Sequence, residues 1–156
     1  MKKPACWCVF VLLLAVGGCD TAAEEPPSLL PFQTIEDAAA FNVLEAGTAV
    51  IRDEATWRRL WELHWGVFDG TGARTPPPAV NFERHMLIAV FWGEGYSGCS
   101  NGVQAVKSVI WRPDAIVVRV GPLPDLGPCD ALVYPIQVIR VERFDLRVFF
   151  EGEVPR

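Results

Sequence analysis

The chain has 156 residues, 51% of them hydrophobic and 21% charged. That is enough apolar material for one domain with a buried core, and too much for a disordered segment. The formal charge is −5 and the 14 basic residues form no run or stripe, which argues against a nucleic-acid backbone as partner.

The amino end reads as a targeting segment. Lys2 and Lys3 supply a short positive start, and "PACWCVFVLLLAVGG" is an apolar run too short to span a bilayer. The run ends in "VGGC", residues 16–19, small residues before a cysteine that look like a bacterial lipobox. The pattern predicts a signal peptide over 1–18, cleavage before Cys19, and a diacylglycerol on its thiol. A further acyl chain such as palmitate would make the anchoring stable, whereas a single chain would be marginal. An ordinary secretory signal cut elsewhere is the alternative. The expected location is the bacterial cell envelope, with a soluble domain held to a membrane on the periplasmic or surface side.

Residues 19–38 are acidic and proline-bearing at their start and read as a tether. Residues 39–156 read as a single domain. Val43, Ala49, Val50 and Ile51 suggest a first strand, with Gly47 at a turn or bulge. The clearest helix covers about 53–65. Asp53 is a good N-cap, Glu54 favours the positive end of the dipole, and Trp57, Leu60, Trp61, His64 and Trp65 fall on one apolar face. Three tryptophans on that face suit a helix that covers a sheet.

A loop with Pro76, Pro77 and Pro78 follows, then "MLIAVFW", a continuous apolar run expected as a strand covered on both faces. Next comes "GEGYSGCSNG", residues 93–102. Gly93, Gly95 and Gly98 match the spacing of a dinucleotide-binding turn, but Asn101-Gly102 and β-type residues follow where a helix should start. Without a helix N-terminus there is no phosphate site, so no nucleotide or other cofactor is expected. "VQAVKSVIW" and "AIVVRV" read as a hairpin around Pro113 and Asp114. "YPIQVIRVER" and "LRVFFEGE" read as a second hairpin.

Cys6 and Cys8 fall in the signal and Cys19 goes to lipid, which leaves Cys99 and Cys129 as an even pair in an oxidising compartment. A disulfide is the first reading. Metal binding is the weaker one, because neither cysteine belongs to a C-x-x-C and neither histidine lies at ligand spacing from them. The bridge would tie the glycine loop to the Pro/Gly loop at 121–130 and brace both. Gly93, Glu94, Gly95, Tyr96, Ser97 and Gly98 are therefore the candidate partner-binding loop, with Tyr96 expected to stand outward. No nucleophile has a base and an orienting group in view, so no catalytic or metal-ligating residue is assigned and no enzyme is expected.

Strands that run on without intervening helices exclude a doubly wound parallel sheet. They favour an α+β domain: a mainly antiparallel curved sheet or partly open barrel of about six strands, with one helix packed on it.

Several stretches carry a resemblance. The tryptophan helix "EATWRRLWELHW", Val80-Asn81-Phe82-Glu83, Phe91-Trp92-Gly93 before a Gly/Tyr loop, and the late strand "YPIQVIRV" are similar to the C-terminal domain family of the protease complex subunit PrcB, over about residues 51–141. The resemblance implies a bacterial lipoprotein that acts by contact with an envelope protein, stabilising or regulating a protease or other complex. Two alternatives stand beside it: a carrier with a small apolar ligand inside the curved sheet, and an inhibitor that inserts a loop into a protease cleft.

Because the lipid on Cys19 is the only anchor expected, Cys19→Ala should move the protein from the membrane to the soluble fraction on cell fractionation. A variant that stays membrane-bound would contradict the lipobox.

Overall fold

The computed structural model describes residues 26–36, 39–40, 45–65, 76–93, 96–99 and 103–155. Residues 1–18, read above as a signal peptide, and Cys19, Glu94 and Gly95 lie outside these residues. Among these described residues, ten strands and one helix occur in the order β1 (Ser28–Leu30), β2 (Gln33–Glu36), β3 (Ala39–Ala40), β4 (Gly47–Ile51), α1 (Glu54–Trp65), β5 (His85–Phe91), β6 (Tyr96–Ser97), β7 (Val106–Arg112), β8 (Ala115–Val120), β9 (Leu132–Glu142) and β10 (Arg147–Gly152). The fold is α+β. Its strands divide between two sheets that do not close into a barrel, one ordered β1-β7-β8-β10 and one ordered β2-β9-β5-β4, with β3 and β6 also paired to β9.

The layers follow from β5. All seven of its ladder positions pair with β9, from His85 opposite Glu142 to Phe91 opposite Ile136. Side chains alternate across a strand, so an uninterrupted apolar run must bury both faces. Met86, Ile88 and Val90 enter a core with Val109, Ile116, Val118 and Ile139, between the two sheets. Leu87, Ala89 and Phe91 face the other way, into a second core with Ile51, Trp57, Trp61, Ile136 and Val138 under α1. The domain therefore has three layers: helix, larger sheet, smaller sheet.

The helix forms where the residue spacing places it. Asp53 caps it: the Thr56 N–H donates to Oδ1 at 2.8 Å and the Thr56 hydroxyl donates to Oδ2 at 2.9 Å. These hydrogen bonds favour the ionised carboxylate and hold Asp53 below its usual value of 3.8, so the cap acts above that pH and is lost as pH falls through the lower folded value. Trp57 and Trp61 are 1% and 5% exposed. Their rings meet edge-on at 5.3 Å, a contact that adds about 1 kcal/mol to the burial itself. The side chains of His64 and Trp65 lie outside the described residues.

Two readings of the sequence are corrected. Within the segment assigned to a tether, Ser28–Leu30 and Gln33–Glu36 are strands, because Leu30 and Phe32 pack against the inter-sheet core and hold β1 and β2 to the sheet edges. The second hairpin is absent: β9 and β10 lie in different sheets, and β10 pairs in parallel with β8 from Arg147–Ala115 to Gly152–Val120. The connection between β9 and β10 is held apart from both sheets' ladders by arginines. Arg143 Nη1 donates to the carbonyls of Arg52 at 3.0 Å and Phe82 at 2.7 Å, and Arg52 Nη2 donates to the Leu146 carbonyl at 2.8 Å. Val148 and Phe150 then turn inward against the core from the far edge of the smaller sheet. Gly47, expected at a turn or bulge, opens β4 and pairs in register with Phe91.

One polar side chain, Gln137, is buried between the sheets at 1% exposure. The β7–β8 ladder shifts register between Val106 and Ser108, and such a bulge frees a backbone donor. Gln137 Oε1 accepts the Val106 N–H at 2.8 Å, and Gln137 Nε2 donates to the Thr34 hydroxyl at 3.0 Å. One amide thus joins the bulge of one sheet to the edge strand of the other. Gln137→Leu is expected to cost about 1–3 kcal/mol in urea denaturation, because the Val106 N–H is left buried without an acceptor. A loss under about 0.5 kcal/mol would contradict this role.

Candidate functional site

The glycine loop leaves the end of β5 and stays attached to β9. The Trp92 N–H donates to the Pro135 carbonyl at 3.0 Å. The pairing then resumes at β6, with Tyr96 opposite Val133 and Ser97 opposite Leu132. Gly93 makes the turn possible: its φ of +72° is one that side-chain-bearing residues rarely adopt.

Beyond β6 the loop meets the Pro/Gly loop that follows β8. The Gly98 N–H donates to the Ala131 carbonyl at 3.0 Å and the Cys99 N–H to the Leu126 carbonyl at 2.6 Å. Gly98 passes so close to Leu126 that a Cβ would overlap the leucine side chain. Cys99 and Cys129 form the disulfide, with their Cα atoms 4.9 Å apart. Two connections that would otherwise be independent are thereby one unit, tied through Leu126 into the inter-sheet core. The element downstream is β7, a strand, so the glycines serve this close packing at a strand end.

The side chains of the loop divide differently from the sequence expectation. Tyr96, expected to stand outward, is half-buried and packs against the inter-sheet core. Its position in the β6–β9 ladder sets this, since Val133 opposite it is buried. Gly93 and Gly98 are buried as well, and Ser97 is exposed. Among the described residues, the unit presents to solvent Ser97, Pro122, Asp125 and the continuous run 128–132, all five of them exposed. Leu132, opposite Ser97, is 57% exposed. These residues were missed from the sequence. Their signal was present but unread: an apolar residue, Leu132, standing between the exposed Asp130 and the first buried position of β9, Val133.

A concave feature lies on the helix side. A groove of about 400 Å³ runs between α1 and residues 76–82, lined by Trp57, Trp61, Pro77, Val80, Glu54 and Arg58 among others. The Trp57 indole N–H donates to the Pro78 carbonyl at 3.0 Å and fixes the proline segment along the helix. Arg58 pairs with Glu54 at 2.6 Å on its rim. The space between the sheets, by contrast, is occupied by the packed side chains of β5, β7, β8 and β9.

No protein-family model, curated protein or solved structure matches this chain.

The disulfide closes a loop with a sequence separation of 30 residues. Replacing both cysteines, Cys99→Ser with Cys129→Ser, is expected to cost about 3 kcal/mol in urea denaturation. The fold should persist, since neither cysteine belongs to the two apolar cores. A change under about 1 kcal/mol would show that the hydrogen bonds to Ala131 and Leu126 brace the loops unaided.

Proposed function

We propose that this chain is a non-enzymatic, lipid-anchored protein of the bacterial cell envelope that acts by binding another envelope protein through its disulfide-braced end. The observation that carries the reading is the geometry of that end. Ser97 and residues 128–132 form an exposed ridge whose backbone is held by ladder hydrogen bonds, a disulfide and a glycine packed against Leu126. A surface ordered in advance loses little conformational entropy when a partner docks. Exposed Leu132 beside Ser97 and Asp130 is an apolar anchor with polar neighbours, the composition of a small protein contact. The resemblance to the PrcB C-terminal domain family points the same way, toward a subunit that stabilises or regulates a protease or other envelope complex.

A second reading, a carrier for a small apolar ligand, draws support from the groove beside α1 and not from the filled space between the sheets.

The test is site-specific photo-crosslinking of the full-length lipoprotein in its own envelope. A crosslinker at Leu132 is expected to capture a discrete protein that one at Glu62 on α1 does not, and Ser97→Arg is expected to reduce that capture by about tenfold, the loss of roughly 1.4 kcal/mol of binding. Equal capture from both positions would overturn the braced end as the contact. Capture only at Glu62 would favour the groove.

A further inference from the structure

The outward face of the smaller sheet carries an apolar row that the proposed function leaves unused. Leu30, Val109, Val118 and Phe150 point into the inter-sheet core, so their sequence neighbours point out. The register places those neighbours side by side: Leu29 opposite Ile110, Ile110 opposite Val117, and Val117 opposite Phe149. One row of four apolar side chains thus crosses all four strands. Leu29 is 74% exposed and Phe149 is 51% exposed, at the two edges of the sheet.

The row has charged flanks. On the hairpin side, Arg112 and Arg147 stand on either side of Ala115. On the other side, Arg119 stands between Ser108 and Glu151 and pairs with Glu151 at 3.5 Å. The ladder positions of this face therefore hold three arginines and one carboxylate, with exposed Asp114 in the hairpin turn beside Arg112, in a chain whose formal charge is −5. A cationic, apolar patch on an acidic protein is complementary to an anionic lipid surface, where arginines meet phosphates and apolar side chains enter the headgroup layer.

The position of the amino end adds a second argument. Ser28 pairs with Trp111, so the chain enters the smaller sheet beside Arg112, on the same side as the arginine pair. Cys19 lies eight residues before Pro27, a stretch that spans at most about 29 Å when fully extended. Asp20, Glu24 and Glu25 lie in that stretch, so any attraction to anionic lipid comes from the sheet.

We propose that Leu29, half-buried Ile110 and Phe149, which lie over Val117 at 2% exposure and have Arg112 and Arg147 beside them, rest on the anionic headgroups of the membrane that holds the lipid on Cys19. This rests on the lipid-anchor reading above. The contact orients the domain. Arg112 and Ala115 close the β7–β8 hairpin at one end of the sheet, whereas Val106 and Val120 lie at the other, beside the loop that leads to Leu126 and the disulfide.

The test uses the full-length lipidated protein with a fluorescent label at Phe149→Cys or, for comparison, at Glu62→Cys on α1. The protein is reconstituted in phosphatidylcholine vesicles with and without about one-third phosphatidylglycerol, and quenching by brominated lipid is read. Quenching at position 149 is expected to be at least about twofold stronger on the anionic vesicles, to fall at high salt, and to be lost with Arg112→Glu plus Arg147→Glu, with no change at position 62. Vesicle-bound protein whose label at 149 is not quenched overturns the proposal and leaves the anchor reading intact. Protein with an unaltered Cys19 that does not float with vesicles overturns both. A label at 149 that responds to protein concentration in detergent alone shows a second copy on this face and overturns the lipid contact.

Discussion

The pairing of β5 with β9 is the constraint from which the other elements take their places. Leu87, Ile88, Ala89 and Val90 are fully buried and alternate between the two cores. A strand buried on both faces needs a cover on each, and the chain supplies α1 on one side and the four-stranded sheet on the other. The opposite strand, β9, is eleven residues long and takes β5 and β6 along one stretch of its pairing and β2 and β3 along others. Each covering element then meets its own local requirement. Asp53 caps the helix, Gln137 answers the bulge in β7, and the arginines at 52 and 143 carry the chain from one sheet to the other.

The candidate surfaces are consequences of this plan. Tyr96 and Ser97 of the glycine loop prolong the β5–β9 ladder, and the disulfide adds the loop after β8 to them. The groove exists because Trp57 and Trp61 cover the sheet while the proline segment runs back along the helix. The apolar row exists because four short strands lie in register with one face turned away from the core. Packing accounts for the inward faces. Among the described residues it leaves Leu132, Leu29 and Phe149 exposed, and these are the residues proposed for contacts outside the chain.

The parts that were legible from the residues are those specified by local chemistry. An unbroken apolar run marks β5, an N-cap and a helical stripe of tryptophans mark α1, and Pro113-Asp114 marks the β7–β8 turn. The cysteine pairing followed from elimination within the chain. What stayed hidden depends on which edges meet. The alternation of Val148 and Phe150 shows a face but not a neighbour, and the near partner β9 was chosen over the distant β8 because consecutive strands usually pair. The strands β1 to β3 are two to four residues long, among Pro26, Pro27 and Pro31, and carry no period to read. Tyr96 lies between small residues that suggest exposure, yet its ladder partner Val133 places it against the core. The row Leu29, Ile110, Val117, Phe149 is invisible until the register of three strand pairs is known.

The central claim is that the braced end belongs to the same rigid unit as the β5–β9 spine, so that its outer ridge is ordered before any partner arrives. Amide hydrogen exchange of the oxidised full-length protein tests this most directly. The account predicts that the N–H groups of Gly98, Cys99 and Val133 exchange in the same slow class as those of Leu87 to Val90, while the β10 edge exchanges sooner. Exchange of Gly98 and Cys99 at the rate of an open chain, with β5 still protected, would contradict it.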